Sequence, residues 1–117
     1  MSKDNTVAQL AGCGVVAVVR APDSQMVLPL AQALAQGGVT SIEITMTTPH
    51  AVEVISKLSD VLGDKILLGA GTILDAATCA DVIHAGARFV VSPILDAAVV
   101  DITRRLGAVS IPGAYTP

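Results

Sequence analysis

Apolar runs and amphipathic stretches alternate along this chain almost without interruption. Strand-like runs begin near Gly14, Ser41, Lys65, Arg88 and Ala108. Each is short and rich in Val, Ile, Leu or Ala, the pattern of strands buried on both faces. Between them apolar residues recur at helical spacing, as in Val52, Ile55 and Leu58-Ser59-Asp60-Val61-Leu62. Four helices carry start and stop signals. The first follows Pro22-Asp23 and ends at Gly37-Gly38. The second takes Thr48 as N-cap and Pro49 as its first residue, closing at Gly63. The third runs from Asp75 to Gly86, and the fourth from near Asp96 to Gly107. Thr6 to Gly12 adds a short leading helix.

The order is therefore β-α-β-α-β-α-β-α-β, an α/β chain with tight turns and no linker. Two architectures accept it: a (β/α) barrel and an open doubly wound sheet of flavodoxin type. About five strands with four to five helices, in 117 residues, fall short of an eight-fold barrel of roughly 200 residues or more. The expectation is an incomplete TIM-type barrel, residues 1–117 forming one domain that is the N-terminal part of such a barrel. Thr116-Pro117 repeats the Thr48-Pro49 device, a cap with no helix after it, so the chain reads as cut.

Composition sharpens this. The chain is 52% hydrophobic and 15% charged, with a mean hydropathy of +0.68. That is oily for a small domain with a large surface-to-volume ratio. One Tyr, one Phe and no Trp leave the core to aliphatic residues. No run reaches the roughly 18 apolar residues of a membrane span, and neither a signal segment nor a transit peptide is legible at the N-terminus. A net charge of −3, unclustered, argues against nucleic acid as a partner. Cys13 and Cys79 show no metal or redox spacing and read as reduced thiols of a cytoplasmic protein. His50 and His84 read as helix-surface residues, and no metal site or cofactor is expected.

Glu43 carries the most chemical information. It lies inside Ser41-Ile42-Glu43-Ile44-Thr45-Met46, and a buried carboxylate costs several kcal/mol unless paired, protonated or used. Pairing with Arg20, at the end of the preceding strand, and general acid/base use are equally open on the sequence. Thr45 and Thr47 share a side by alternation. Gly69-Ala70-Gly71-Thr72 lacks the third glycine and the acidic partner of a dinucleotide loop. Its small residues instead allow close approach, and Thr72 offers a hydroxyl. Ser92-Pro93 and Ile111-Pro112-Gly113 end the fourth and fifth strands. Chemistry gathered at successive strand ends is the habit of barrel enzymes.

Val16-Ala17-Val18-Val19-Arg20, Ile42-Glu43-Ile44-Thr45-Met46-Thr47-Thr48-Pro49, Leu68-Gly69-Ala70-Gly71-Thr72, Phe89-Val90-Val91-Ser92-Pro93 and Ile111-Pro112-Gly113 occur in that order. Together they resemble the N-terminal part of the 2-keto-3-deoxy-6-phosphogluconate / 4-hydroxy-2-oxoglutarate aldolases, over essentially the whole chain. The resemblance implies a class I aldolase (a lyase of carbohydrate metabolism, on the Entner–Doudoroff route) with a (β/α)8 barrel and a trimeric assembly. It implies cleavage of a 2-keto-4-hydroxy acid to pyruvate and an aldehyde through a lysine Schiff base, without a cofactor. Glu43 then matches the general acid/base, Thr72 a pyruvate contact and Pro93 a wall of the site.

Two departures from the family pattern bear on function. Thr47 stands where many members carry an arginine for the substrate carboxylate, and Arg20 is the expected substitute. The family's Schiff-base lysine lies on the sixth strand. Lys3, Lys57 and Lys65 sit in the leader, on a helix and at the opposite barrel end, so the chain alone is expected to be inactive. The alternative is a non-catalytic half-barrel that self-associates through its open edges and apolar inner face.

Overall fold

A computed structural model describes residues 2–117. Helix α1 (Lys3–Cys13) is followed by β1 (Ala17–Val19), a 3₁₀ turn (Ser24–Met26), α2 (Val27–Gln36), β2 (Ser41–Thr45), α3 (Ala51–Leu62), β3 (Leu67–Gly71), α4 (Ala76–Ala85), β4 (Phe89–Ser92), α5 (Ala97–Arg105) and β5 (Val109–Pro112). All strands are parallel, in the order β1-β2-β3-β4-β5. A doubly wound sheet would reverse its order at a switch point. Monotonic order is the arc of a barrel wall, so the fold is a partial (β/α) barrel.

The two faces differ in what covers them. Ile42, Ile44, Leu68, Ala70 and Val90 point to the helix side and join Val27, Ala31, Ile55, Leu58, Val82 and Val99 in one core. Alternate residues point the other way. There Leu67, Phe89 and Val109 form a smaller cluster closed by Leu10 of α1. Register aligns Val18, Glu43, Gly69, Phe89 and Val109 as one row across this inner face. At its two edges the inner face gives way to solvent: Val18 on β1 is 54% exposed and Ile111, two residues beyond Val109 on β5, is 39% exposed.

Local signals explain most helix ends. The Asp75 carboxylate accepts from the Thr78 amide at 2.8 Å, and that of Asp96 accepts from the amides of Ala98 and Val99 at 2.9 and 3.3 Å. Asp23 caps the 3₁₀ turn, so α2 begins at Val27, later than expected. The expected cap at Thr48 is not formed. The α3 N-cap is His50 in the left-handed region, Pro49 stays outside the helix, and the buried Thr48 hydroxyl has no hydrogen-bond partner among the described residues. Thr48 instead closes a turn through its amide to the Thr45 carbonyl at 3.0 Å. The leading helix is longer than Thr6–Gly12, because Ser2 caps it from outside. The first strand shortens to three residues and leaves Arg20 just beyond its end.

Candidate active site

The candidate residues lie where the parallel strands end. Arg20 follows β1, Glu43 and Thr45 lie on β2, Thr47 and Thr72 come just after β2 and β3, and Pro93 follows β4. Adjacent strand pairing makes these ends neighbours. Main-chain bonds knit them together: the Met46 amide donates to the Gly71 carbonyl at 3.0 Å, Ile73 to Val91 at 3.2 Å and Gly113 to Ser92 at 2.8 Å.

Glu43 is 6% exposed and projects from the inner face of β2. Its side chain is held over the Cα of Gly71, where any Cβ would occupy the carboxylate's space. One step down the sheet, the ring of Phe89 lies where a Gly69 side chain would be. Two glycines at alternate positions of β3 therefore open a slot that the acid and the ring share. Sequence reading saw these glycines as permitting close approach. It missed Phe89 as the group filling the other half of the slot, since ring and glycine lie twenty residues apart in the chain.

Burial pushes the Glu43 carboxyl above its ordinary value, and the positive charge of Arg20 opposes this. The two do not touch: among the described residues the ion pairs are Asp101 with Arg104 and with Arg105, at 3.1 and 3.0 Å. Of the two roles the sequence left open, direct pairing with Arg20 is thus not formed. A carboxyl that is desolvated but not ion-paired, its pKa raised by burial, is suited to holding and releasing a proton.

Above Glu43 on the same face, the hydroxyls of buried Thr45 and exposed Thr47 are hydrogen-bonded at 2.6 Å. Thr72 is half-buried and has φ of 61°, a left-handed conformation unusual for a β-branched residue. Such strain collects where a side chain is held for a purpose. Pro93 is exposed, with its carbonyl close over Gly113. The lysines stand elsewhere. Lys3 begins α1, Lys57 lines a cleft beside His50, Glu53 and Ser24, and Lys65 lies in the turn before β3, at the opposite end of the strands. Among the described residues no group of three or more His, Cys, Asp or Glu is arranged to hold a metal ion, and no helix is long and apolar enough to cross a membrane.

Comparison with known proteins gives one consistent family. Residues 7–117 match the KDPG and KHG aldolase family. The chain is 37% identical over 99 residues to 2-dehydro-3-deoxy-phosphogluconate aldolase of Pseudoalteromonas atlantica, covering 85% of this chain and 46% of that one. Among solved structures, 2-keto-3-deoxy-6-phosphogluconate aldolase of Zymomonas mobilis with 3-phosphoglycerate superposes with a TM-score of 0.86 at 30% identity, over 99% of this chain and 55% of that one. KDPG aldolase from Legionella pneumophila, with pyruvate captured as a covalent carbinolamine, superposes with a TM-score of 0.79 at 33% identity, over 86% and 48%. The chain thus spans about half the length of these relatives.

Proposed function

The chain belongs to the KDPG and KHG aldolase family, and on that premise we propose that its strand mouth binds the pyruvate part of a 2-keto-4-hydroxy acid and moves a proton through Glu43. The observation that carries this reading is the desolvated Glu43 carboxyl, without an ion-pair contact among the described residues and raised by burial. Retro-aldol cleavage removes the proton of the C4 hydroxyl, breaks the C3–C4 bond and sends the electron pair toward C2. The Glu43 carboxylate takes that proton, and the acid so formed returns one to the new methyl group.

The electron sink in this reading is a protonated imine between substrate and a lysine. The carbinolamine captured in the Legionella relative supports covalent amine chemistry for the family. Lys3, Lys57 and Lys65 stand away from Glu43, so residues 1–117 supply the acid/base and pyruvate contacts while the nucleophile lies on the sixth strand of the whole barrel. The chain by itself is then inactive. Thr72 contacts the keto acid, Pro93 walls it, and Arg20 supplies the cation for its carboxylate in place of the family arginine, whose position holds Thr47. The substrate is 2-keto-3-deoxy-6-phosphogluconate or 4-hydroxy-2-oxoglutarate. The reading extends, by analogy with the family, to a trimeric assembly and a cytoplasmic location.

Borohydride trapping with pyruvate, read by intact mass and peptide mapping, tests this directly. The expected result is no adduct on the 117-residue chain. An adduct on Lys57 or Lys65 overturns the placement of the site. Pyruvate titration followed by NMR tests the binding half: Arg20→Ala is expected to weaken binding about tenfold or more, and an unchanged dissociation constant removes Arg20 from the site.

A further inference from the structure

Opposite the mouth, the end of α1 meets the beginning of β2. Cys13 is the last residue of α1, and Gly14, at φ of 77°, turns the chain away from it. This thiol is partly exposed. Its sulfur accepts from the Thr40 hydroxyl at 3.7 Å, and the backbone amides of Thr40 and Ser41 are directed at it. The Ser41 hydroxyl also lies beside it. Ser41 is 1% exposed, and its Oγ has no hydrogen-bond partner among the described residues.

A buried hydroxyl without a partner is costly. Here the nearby sulfur offers a remedy, since a thiol is a weak acceptor and a thiolate a strong one. Ionisation of Cys13 would give Ser41 a charge-assisted bond. The carbonyl end of α1 disfavours a negative charge, but two hydroxyls and two amides face it.

We propose that Cys13 is a reactive thiolate, held by Thr40 and Ser41, that exchanges with small disulfides to form a mixed disulfide at the base of the strands. The Cys13 thiolate attacks one sulfur of R–S–S–R. The new S–S bond forms as the old one breaks, Cys13 is oxidised, and R–S⁻ leaves with the electron pair. The donors hold the thiol well below its ordinary range, at about 6. Cys79 provides a contrast in the same chain. It is buried, its sulfur lies 3.1 Å from the Thr103 hydroxyl, and burial pushes its thiol up.

The test follows dipyridyl disulfide reacting with the purified chain at pH 6, with peptide mass mapping to separate the two cysteines. An unstructured peptide spanning the Cys13 sequence is the reference. At that pH a large fraction of Cys13 is expected to be ionised, against well under one per cent of an ordinary thiol, and the lower nucleophilicity of a low-pKa thiolate removes part of the gain. Cys13 is expected to react about tenfold faster than the peptide, and faster still than Cys79. Ser41→Ala, a near-isosteric change, is expected to lose much of that excess. Reaction no faster than the peptide overturns the proposal. So does an excess that Ser41→Ala leaves intact, because the buried hydroxyl would then not hold the thiolate.

Discussion

The carboxylate of Glu43 rests against the Cα of Gly71, in space that a side chain on the neighbouring strand would occupy. The relation follows from parallel register. Glu43 pairs with Gly69 and Thr45 with Gly71, so the acid leans one step toward the mouth from its own row. Gly71→Ala is expected to displace the carboxylate and to cost about 1–3 kcal/mol by overpacking. Urea denaturation measures the cost. An unchanged midpoint would show that Glu43 is free to swing elsewhere.

Protonation of Glu43 should make stability fall with rising pH. Burial raises its pKa in the folded chain above the 4.5 of the unfolded one. Between those values the folded chain binds the extra proton, so this contribution is complete below pH 4.5 and is lost as pH rises through the folded value. Asp75 has the opposite sign. The Thr78 amide holds its carboxyl below the usual 3.8, so its contribution is lost only in more acid solution, outside that window. Glu43→Gln is expected to flatten the pH dependence above 4.5 and to be more stable than the parent at neutral pH. Denaturation midpoints across that range decide it, and parallel curves for the two proteins would contradict the assignment.

The ring of Phe89 and the bare Cα of Gly69 should behave as one unit. Gly69→Ala alone drives a methyl into the ring and is expected to cost about 1–3 kcal/mol. Phe89→Leu alone leaves part of a fully buried site unfilled. Combined, the two changes are expected to cost less than their sum, by about 1 kcal/mol or more. A double-mutant cycle in urea measures this, and strict additivity would mean the two sites do not share space.

Thr72 carries strain that glycine would not. Its φ of 61° disfavours a β-branched side chain by about 1–2 kcal/mol, comparable to what a half-buried Thr contributes by packing. Thr72→Gly is therefore expected to leave stability within about 0.5 kcal/mol of the parent while weakening pyruvate binding. Thr72→Val keeps the strain and loses only the hydroxyl. Equal pyruvate affinity in all three proteins, by NMR titration, would remove Thr72 from the proposed site.

Much of this arrangement is legible before folding, because its signals lie within a few residues of each other. Asp75 and Asp96 announce helix starts through their own reach to amides two or three residues on. The alternation of short aliphatic runs with helical spacing announces parallel β-α units. Glu43 is conspicuous because a charge interrupts a run that must be buried. Where a local signal competes with a turn, it misleads: Thr48-Pro49 looks like a cap and first helical residue, yet the Thr48 amide is drawn back to Thr45 and the helix waits for Ala51.

The sequence by itself determined the order of elements, the acid inside the second strand and the small residues of the third, since propensity and hydrophobic pattern act over short spans. Only the tertiary structure decided that the five strands run in one unreversed order, with α2 to α5 on one face and α1 against the other. It alone set Glu43 apart from Arg20, gave the acid its place over Gly71 and brought Cys13 beside the buried Ser41 hydroxyl. Those relations depend on register and desolvation between residues tens of positions apart, and no local pattern encodes the distance between two side chains that meet only when the strands pair into a sheet.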